Sequence, residues 1–327
     1  MTRRRWLTAL IAVLVVVGAG VAVAMMRDDV DRPLRIVRLA TPTQPLSAGV
    51  FLADMRDAYR AHGLDVRIQA HATGKEALDA MLAGEADLAI AAQTPLMHAV
   101  IAGEHLSAWA VIGEAGNTQR IIARADRGIR EAVDLAGKTM AAPRGTSGQI
   151  FVQNYLNYHG IDPATVTLVH GAAEALPEML TSGQVDAVCV WDPYASRAER
   201  ALGDAVVLSQ DSLYQFGWIL IGRPELGPTG SVDRILSALF SVYPDLQTLD
   251  ESEKAELARR CGSPLQELAV ALATYHYRVG LDAGLAVLLE GDAELLYPDA
   301  AAERDFASVL DAGPLRRVDA SAVAVDW

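Results

Sequence analysis

From Leu34 to Ile101, short apolar runs alternate with stretches of helical spacing, and that alternation leaves few folds open. Leu34–Ala40, Leu64–Ala70 and Leu88–Ala92 read as strands. Between them, Val50, Leu52, Met55 and Tyr59 lead helically to the stop signal His62-Gly63, and Leu78, Met81 and Leu82 lead to Gly84. Thr73-Gly-Lys-Glu76 is a capping box that opens the second helix. After a Gln93-Thr-Pro95 loop, Leu96–Ile101 is helical again. Parallel strands need a crossover between them, so this order specifies a mainly parallel sheet with helices on both faces, an α/β fold.

The plan then repeats. Ser107–Ile112 is a further strand, Gly113–Thr118 a turn-rich break, and Arg120–Arg124 a strand that leads out of a first lobe. Thr139–Ala142, a helix carrying Ile150, Phe151, Tyr155 and Leu156, Val166–Val169, a helix over Leu176–Leu180 and Ala187–Val190 make a second series. Met81-Leu-Ala-Gly-Glu-Ala-Asp-Leu-Ala-Ile-Ala-Ala-Gln-Thr-Pro95 is echoed by Met179-Leu-Thr-Ser-Gly-Gln-Val-Asp-Ala-Val-Cys-Val-Trp-Asp-Pro193. Each is a helix end, a glycine turn, an aspartate, a buried strand and a proline. Tyr214–Ile221 reads as a strand returning to the first lobe, and helices over Ile235–Tyr243, Ser252–Arg260, Pro264–Tyr277, Gly284–Leu289 and Ala300–Leu310 are expected to pack there. The expected division is 34–122 with 213–327 as lobe 1 and 123–212 as lobe 2.

Ahead of these lobes, Arg3-Arg-Arg5 precedes an uncharged apolar run, Trp6–Met26, ending in Ala22-Val-Ala24 and followed by Asp28, Asp29 and Asp31. This is an export segment, with residues 1–26 a cleaved signal peptide or a retained membrane anchor. No cysteine follows the run, which excludes a lipoprotein anchor. A formal charge of −13 argues against nucleic acid and anionic membrane surfaces as partners, because both select clustered cations. Cys189 in an apolar run and Cys261 in a charged helical stretch do not form a disulfide framework.

In open parallel sheets, ligands sit beyond the carboxyl ends of the strands. That places Gln93-Thr94, Gly145-Thr146-Ser147 and Trp191-Asp192 at corresponding positions in the two lobes. At Pro143-Arg-Gly-Thr-Ser147 a strand breaks and hands over to a helix N-terminus, whose unpaired N–H groups and partial positive charge make an anion seat. A plain capped turn would use the same residues. Trp191 is expected to wall the cleft. Asp192 before Pro193 is either a helix cap or, pointing into the cleft, the partner of a ligand ammonium. The histidines show no metal-ligand spacing, and Gly145-Thr-Ser-Gly148 has neither nucleophile-elbow nor P-loop spacing. No enzyme chemistry, metal or cofactor is expected.

Asp134-Leu-Ala-Gly-Lys-Thr139, Pro143-Arg-Gly-Thr-Ser147, Trp191-Asp-Pro-Tyr194, Gln93-Thr-Pro95 and Pro314-Leu-Arg-Arg317 together resemble the periplasmic solute-binding proteins of ABC transporters. The similarity runs from Leu34 to the end. It points to the subgroup that captures aliphatic sulfonates, taurine and nitrate, related to binders of thiamine pyrimidine precursors. The resemblance implies a two-lobed type II binding protein with two hinge crossings. It further implies a ligand in the cleft, a monomer in the periplasm and an inner-membrane ABC permease as partner. In the first loop, Thr41-Pro-Thr-Gln-Pro45, Gln44 keeps a side-chain donor. A receptor for an aromatic or pyrimidine solute stacking on Trp191, Trp218 or Tyr214 is an alternative, and a membrane-anchored sensor is another. Pyrimidine-synthesising enzymes share the fold, but the cysteine-rich stretch they use is missing.

Overall fold

A computed structural model describes residues 34–116, 118–208 and 213–324. The export segment lies outside them. Among the described residues no helix is long and apolar enough to cross a membrane.

Two five-stranded sheets carry the fold. The strands of the first are β1 (Arg35–Pro42), β2 (Leu64–His71), β3 (Leu88–Ala92) and β4 (Ser107–Ala115). Those of the second are β5 (Gln119–Arg124), β6 (Thr139–Ala142), β7 (Thr167–His170), β8 (Ala187–Trp191) and β9 (Ala205–Val207), after which β10 (Phe216–Gly222) returns to the first. The orders are β2-β1-β3-β10-β4 and β7-β6-β8-β5-β9. In each sheet the first three strands run parallel, and the fourth is antiparallel to both neighbours. That antiparallel strand is the one arriving from the other lobe, so the lobes exchange equivalent strands.

This exchange corrects the first boundary read from the sequence. All of β5 pairs with β8 and β9, so Arg120–Arg124 belongs to the second sheet, and the chain crosses between Ala115 and Gln119. The return crossing lies between Val207 and Phe216. The Gly113–Thr118 break shrinks as well. β4 continues to Ala115 because Gly113 and Glu114 pair with Trp218 and Gly217, while Glu114 exchanges backbone hydrogen bonds with His276.

The internal echo has a structural counterpart. β3 and β8 occupy the same central position and are buried throughout. Gly84 and Gly183, each at φ 78°, end the preceding helices in the left-handed conformation that glycine adopts without strain. The aspartates do the same work: Asp87 accepts from the Arg38 N–H of β1 at 2.8 Å, and Asp186 from the Thr139 N–H of β6 at 2.9 Å. Each carboxylate ties the start of its central strand to the neighbouring parallel strand.

Three further expectations change. The helix expected through Tyr59 is split into Ala48–Met55 and Ala58–Ala61 by Asp57 at φ 54°. The helix over Leu265–Thr274 ends early because Tyr275 turns extended and His276 bonds to the edge of β4. Instead of a helix over Ala300–Leu310 there are two short turns, Pro298–Ala301 and Ala307–Val309. Asp305 accepts from the N–H groups of Ala307 and Ser308, a local bonding pattern that competes with helix. The C-terminal helices pack on the first lobe as expected, Ser231–Val242 on the helices around Ala48–Ala61 and Gly284–Leu296 on Gln93–Ile101.

Candidate functional site

The carboxyl ends of the central strands of both sheets meet at one cavity of about 670 Å³ between the lobes. Each lobe brings a helix N-terminus to it. From the second lobe comes Ser147–Tyr158, entered through Thr146 in an extended conformation. From the first comes Gly74–Leu82, where the expected capping box forms by half: Thr73 Oγ1 accepts from Glu76 N–H at 3.1 Å, while the Glu76 carboxylate accepts from Ala72 N–H at 3.0 Å. The first turn of any helix has N–H groups without intrahelical partners, so two donor ends and two dipole ends converge here.

The three residues of the expected anion seat divide their work. Gln119 Nε2 donates to Ser147 Oγ at 3.0 Å, which leaves the Ser147 hydroxyl proton to be given to something in the cavity. Thr146 spends its own proton on the Pro143 carbonyl at 2.8 Å. Gly145 does not line the cavity. It takes φ 69° to make the turn, and its N–H donates to Gln149 Oε1 at 2.9 Å. Ser147→Ala should therefore weaken an anionic ligand by about 1.5–3 kcal/mol, a loss of roughly ten- to hundredfold. Thr146→Ala should lose less, through the turn alone; calorimetry on both variants separates the two roles.

Lys75, in the first turn of its helix, is the cavity's basic side chain. Its Nζ pairs with Asp79, and its stem crosses to the other lobe, so that a Cβ on Gly145 would stand 3.3 Å from Lys75 Cε. Together with burial, its charge holds His98 below the usual imidazole range.

Gln44, before the turn Pro45–Ser47, lines the cavity, as do Trp191, Asp192 and Trp218. Trp191 and Trp218 are 7% and 4% exposed, and their indole N–H groups have no partner among the described residues. Phe216 stands edge-on to Trp218 with centroids 5.7 Å apart.

Asp192 lines the cavity and bonds to the next helix from one residue before its N-cap, Pro193. Its Oδ1 accepts from Ser196 N–H at 2.9 Å and Ser196 Oγ at 2.6 Å, closing the first turn of Tyr194–Leu202, and Arg120 approaches at 3.4 Å. Pro193 is not the first helical residue: it follows a cis bond to Asp192 and precedes the helix. Facing Asp192 is the helix Leu265–Thr274 with Glu267, then Tyr275. Burial and the charge of Asp192 raise the Glu267 carboxyl, and burial with both carboxylates pushes the Tyr275 hydroxyl up to about 12.

Gln93, Thr94 and Tyr214 are not on the cavity, contrary to the sequence reading. Gln93-Thr-Pro95 is no loop but the first turn of Gln93–Ile101, directly continuing β3. Gln93 Nε2 donates to Tyr214 Oη and to the Gln215 carbonyl, both at 3.0 Å, while its Oε1 accepts from Gly217 N–H at 3.0 Å. Thr94 Oγ1 lies 3.2 Å from Tyr214 Oη, and both hydroxyls bond to Asp292 of the helix Gly284–Leu296. The trio anchors the end of the return crossing. Burial raises the Asp292 carboxyl to about 6, the two hydroxyls offsetting part of the shift.

Thr73-Gly-Lys75, Gln119, Glu267 and Tyr275 were not singled out from the sequence as site residues. The capping box was a usable signal for the first three, since a second helix start beside a strand end is the same device as Ser147. Nothing local marks the others.

A family model described as NMT1/THI5 like matches residues 44–210, about half of the chain. The chain belongs to the NMT1/THI5-like family. Among relatives of this family member, a protein of Escherichia coli K12 named as aliphatic sulfonates-binding is 27% identical over 60% of this chain and 62% of its own length. Another so named, from Bacillus subtilis 168, is 23% identical over 50% of each chain. The chain thus spans less than two thirds of the length of these relatives. The alkanesulfonate-binding protein SsuA of Xanthomonas axonopodis pv. citri, solved with MOPS bound, superposes with a TM-score of 0.73 at 20% identity, covering 86% of this chain and 99% of that one. The periplasmic nitrate-binding protein NrtA of Synechocystis PCC 6803 superposes at 0.65 with 12% identity, covering 88% and 89%. These superpositions establish the periplasmic-binding-protein fold.

Proposed function

We propose that this family member is the solute-capturing component of an ABC importer, holding a small organic anion of sulfonate type between its lobes and delivering it to a permease from the periplasmic side. The observation that carries this reading is the convergence of two helix N-termini, one from each lobe, on a single cavity with Ser147 poised to donate. The names of the relatives agree with it. A nitrate ion would leave most of the about 670 Å³ empty, whereas an organic sulfonate would also use the tryptophan walls. Among the described residues no group of side chains is placed to hold a metal ion.

The aromatic lining favours a second reading, a planar heterocycle stacked against Trp191, Phe216, Trp218 or Tyr275. Calorimetric titration with ethanesulfonate, nitrate and an aminopyrimidine separates the two. Ethanesulfonate should bind and, if the lobes close about it as in hinged binding proteins, should reduce the radius of gyration in X-ray scattering. Tight binding of the aminopyrimidine without any of ethanesulfonate would replace the first reading by the second. Binding of none of the three would remove both.

A further inference from the structure

Ser147 owes its direction as a donor to a residue at the root of the crossing between the lobes. Gln119 is the first residue of β5, the first that the second sheet holds after the chain leaves β4. Its backbone pairs with Trp191 at the end of β8, while its side chain reaches the first turn of the helix Ser147–Tyr158, where Nε2 donates to Ser147 Oγ at 3.0 Å. Gln119 and Ser147 are 3% and 6% exposed, and both line the cavity. A Cβ on Gly148 would stand 3.3 Å from Gln119 Oε1 and 3.5 Å from the Cys189 carbonyl oxygen, so the bare second position of the helix gives the amide room against the helix end. A serine hydroxyl has one proton to give and lone pairs with which to receive. With the amide donating to it, its proton must point away from Gln119, because two donors do not face each other at hydrogen-bond distance. The first turn of the helix offers that proton N–H donors and not acceptors.

Building on the anion seat of the sulfonate reading above, we propose that Gln119 is a positioning residue: it fixes Ser147 as a donor and so restricts the ligand to one that presents a proton-free oxygen or nitrogen at that point. Gln119 acts through Ser147 and not on the ligand. Because its backbone belongs to the strand and its contact to the helix, one amide ties the ligand seat to the strand that carries the crossing.

The test is calorimetry with ethanesulfonate on the full chain, on Gln119→Met, on Ser147→Ala and on the double variant. Gln119→Met keeps the length of the side chain and gives up its donor, and should weaken ethanesulfonate by roughly three- to tenfold. In the Ser147→Ala background the same change should have no effect, since the group through which it acts is gone. Equal losses in both backgrounds would show that Gln119 touches the ligand or only supports the fold, which overturns the positioning role while the sulfonate reading stands. Gln119→Glu adds a pH profile. Ionised, the introduced carboxylate takes the Ser147 proton and repels the anion; protonated, it donates to Ser147 as the amide does. A sulfonate stays ionised throughout, so the affinity gap between this variant and the parent should be widest near about pH 8 and should narrow toward about pH 5. In the Ser147→Ala background only charge repulsion remains, and the narrowing should be smaller. A gap that narrows equally in both backgrounds, or not at all, overturns the proposal. If the parent binds the aminopyrimidine and not ethanesulfonate, the same cycle is read with the aminopyrimidine: non-additivity between positions 119 and 147 then upholds the role of Gln119 while the sulfonate reading fails, and additivity overturns both. Binding of neither probe overturns both.

Discussion

Gly74→Val should lower conformational stability by about 1–3 kcal/mol and weaken ligand binding more than tenfold. Gly74 is the first residue of its helix, packed flat on β3: a Cβ there would stand 3.0 Å from Ala91 Cα and 3.4 Å from the Trp218 ring. The backbone of a central strand cannot yield, so the helix end must lift away and take Lys75 and its free N–H groups with it. Gly84→Ala is the control. It meets nothing within 4 Å and pays only for φ 78°, about 1–2 kcal/mol, at the far end of the same helix. Urea unfolding and calorimetry should show comparable stability losses in the two variants and a binding loss in Gly74→Val alone. Unchanged affinity in Gly74→Val would mean that this helix end does not serve the site.

A pH-dependent loss of stability should trace to Asp292. Its carboxyl, raised by burial from 3.8 to about 6, binds a proton more readily folded than unfolded. Its contribution is therefore full below about 4 and is lost as pH rises through about 6, by on the order of 3 kcal/mol. Asp292→Asn keeps an acceptor for Tyr214 and Thr94 and carries no charge. Relative to the parent, that variant should gain stability between pH 4 and pH 7, seen as a widening gap in urea midpoints. A constant gap across that range would show that Asp292 does not titrate there. Because Tyr214 stands beside the return crossing, the same variant tests whether this buried network restrains lobe movement.

The parts of the site legible in the sequence were those written within a turn or two of chain. The strand–helix handover at Pro143–Ser147, the capping box at Thr73 and the chain echo from Met81 and Met179 are local signals. They rest on hydrophobic period, on glycine's access to positive φ, and on side chains that bond to the backbone three or four residues away. Asp192, readable as a cap, bonds to the N–H of Ser196 from one residue before the N-cap, Pro193. What was misread depended on distant partners. Gln93 and Thr94 sit at a strand end like Trp191 and Asp192, yet they face inward because Tyr214 and Asp292, 198 residues from Thr94, supply the polar partners that let them be buried.

The sequence by itself determined an α/β chain of two similarly built lobes, the strand ends at which a ligand could sit, and a helix N-terminus opening at one of them. Only the tertiary structure decided that β5 belongs to the second sheet, that Lys75 and Ser147 open on one cavity, and that Glu267 of a late helix confronts Asp192. The physical reason is that periodicity and capping energies act over a few residues and leave a pattern in the chain. Sheet order and lobe crossings, in contrast, join distant segments through backbone pairing that is nearly indifferent to side-chain identity, and so write nothing local into the residues they bring together.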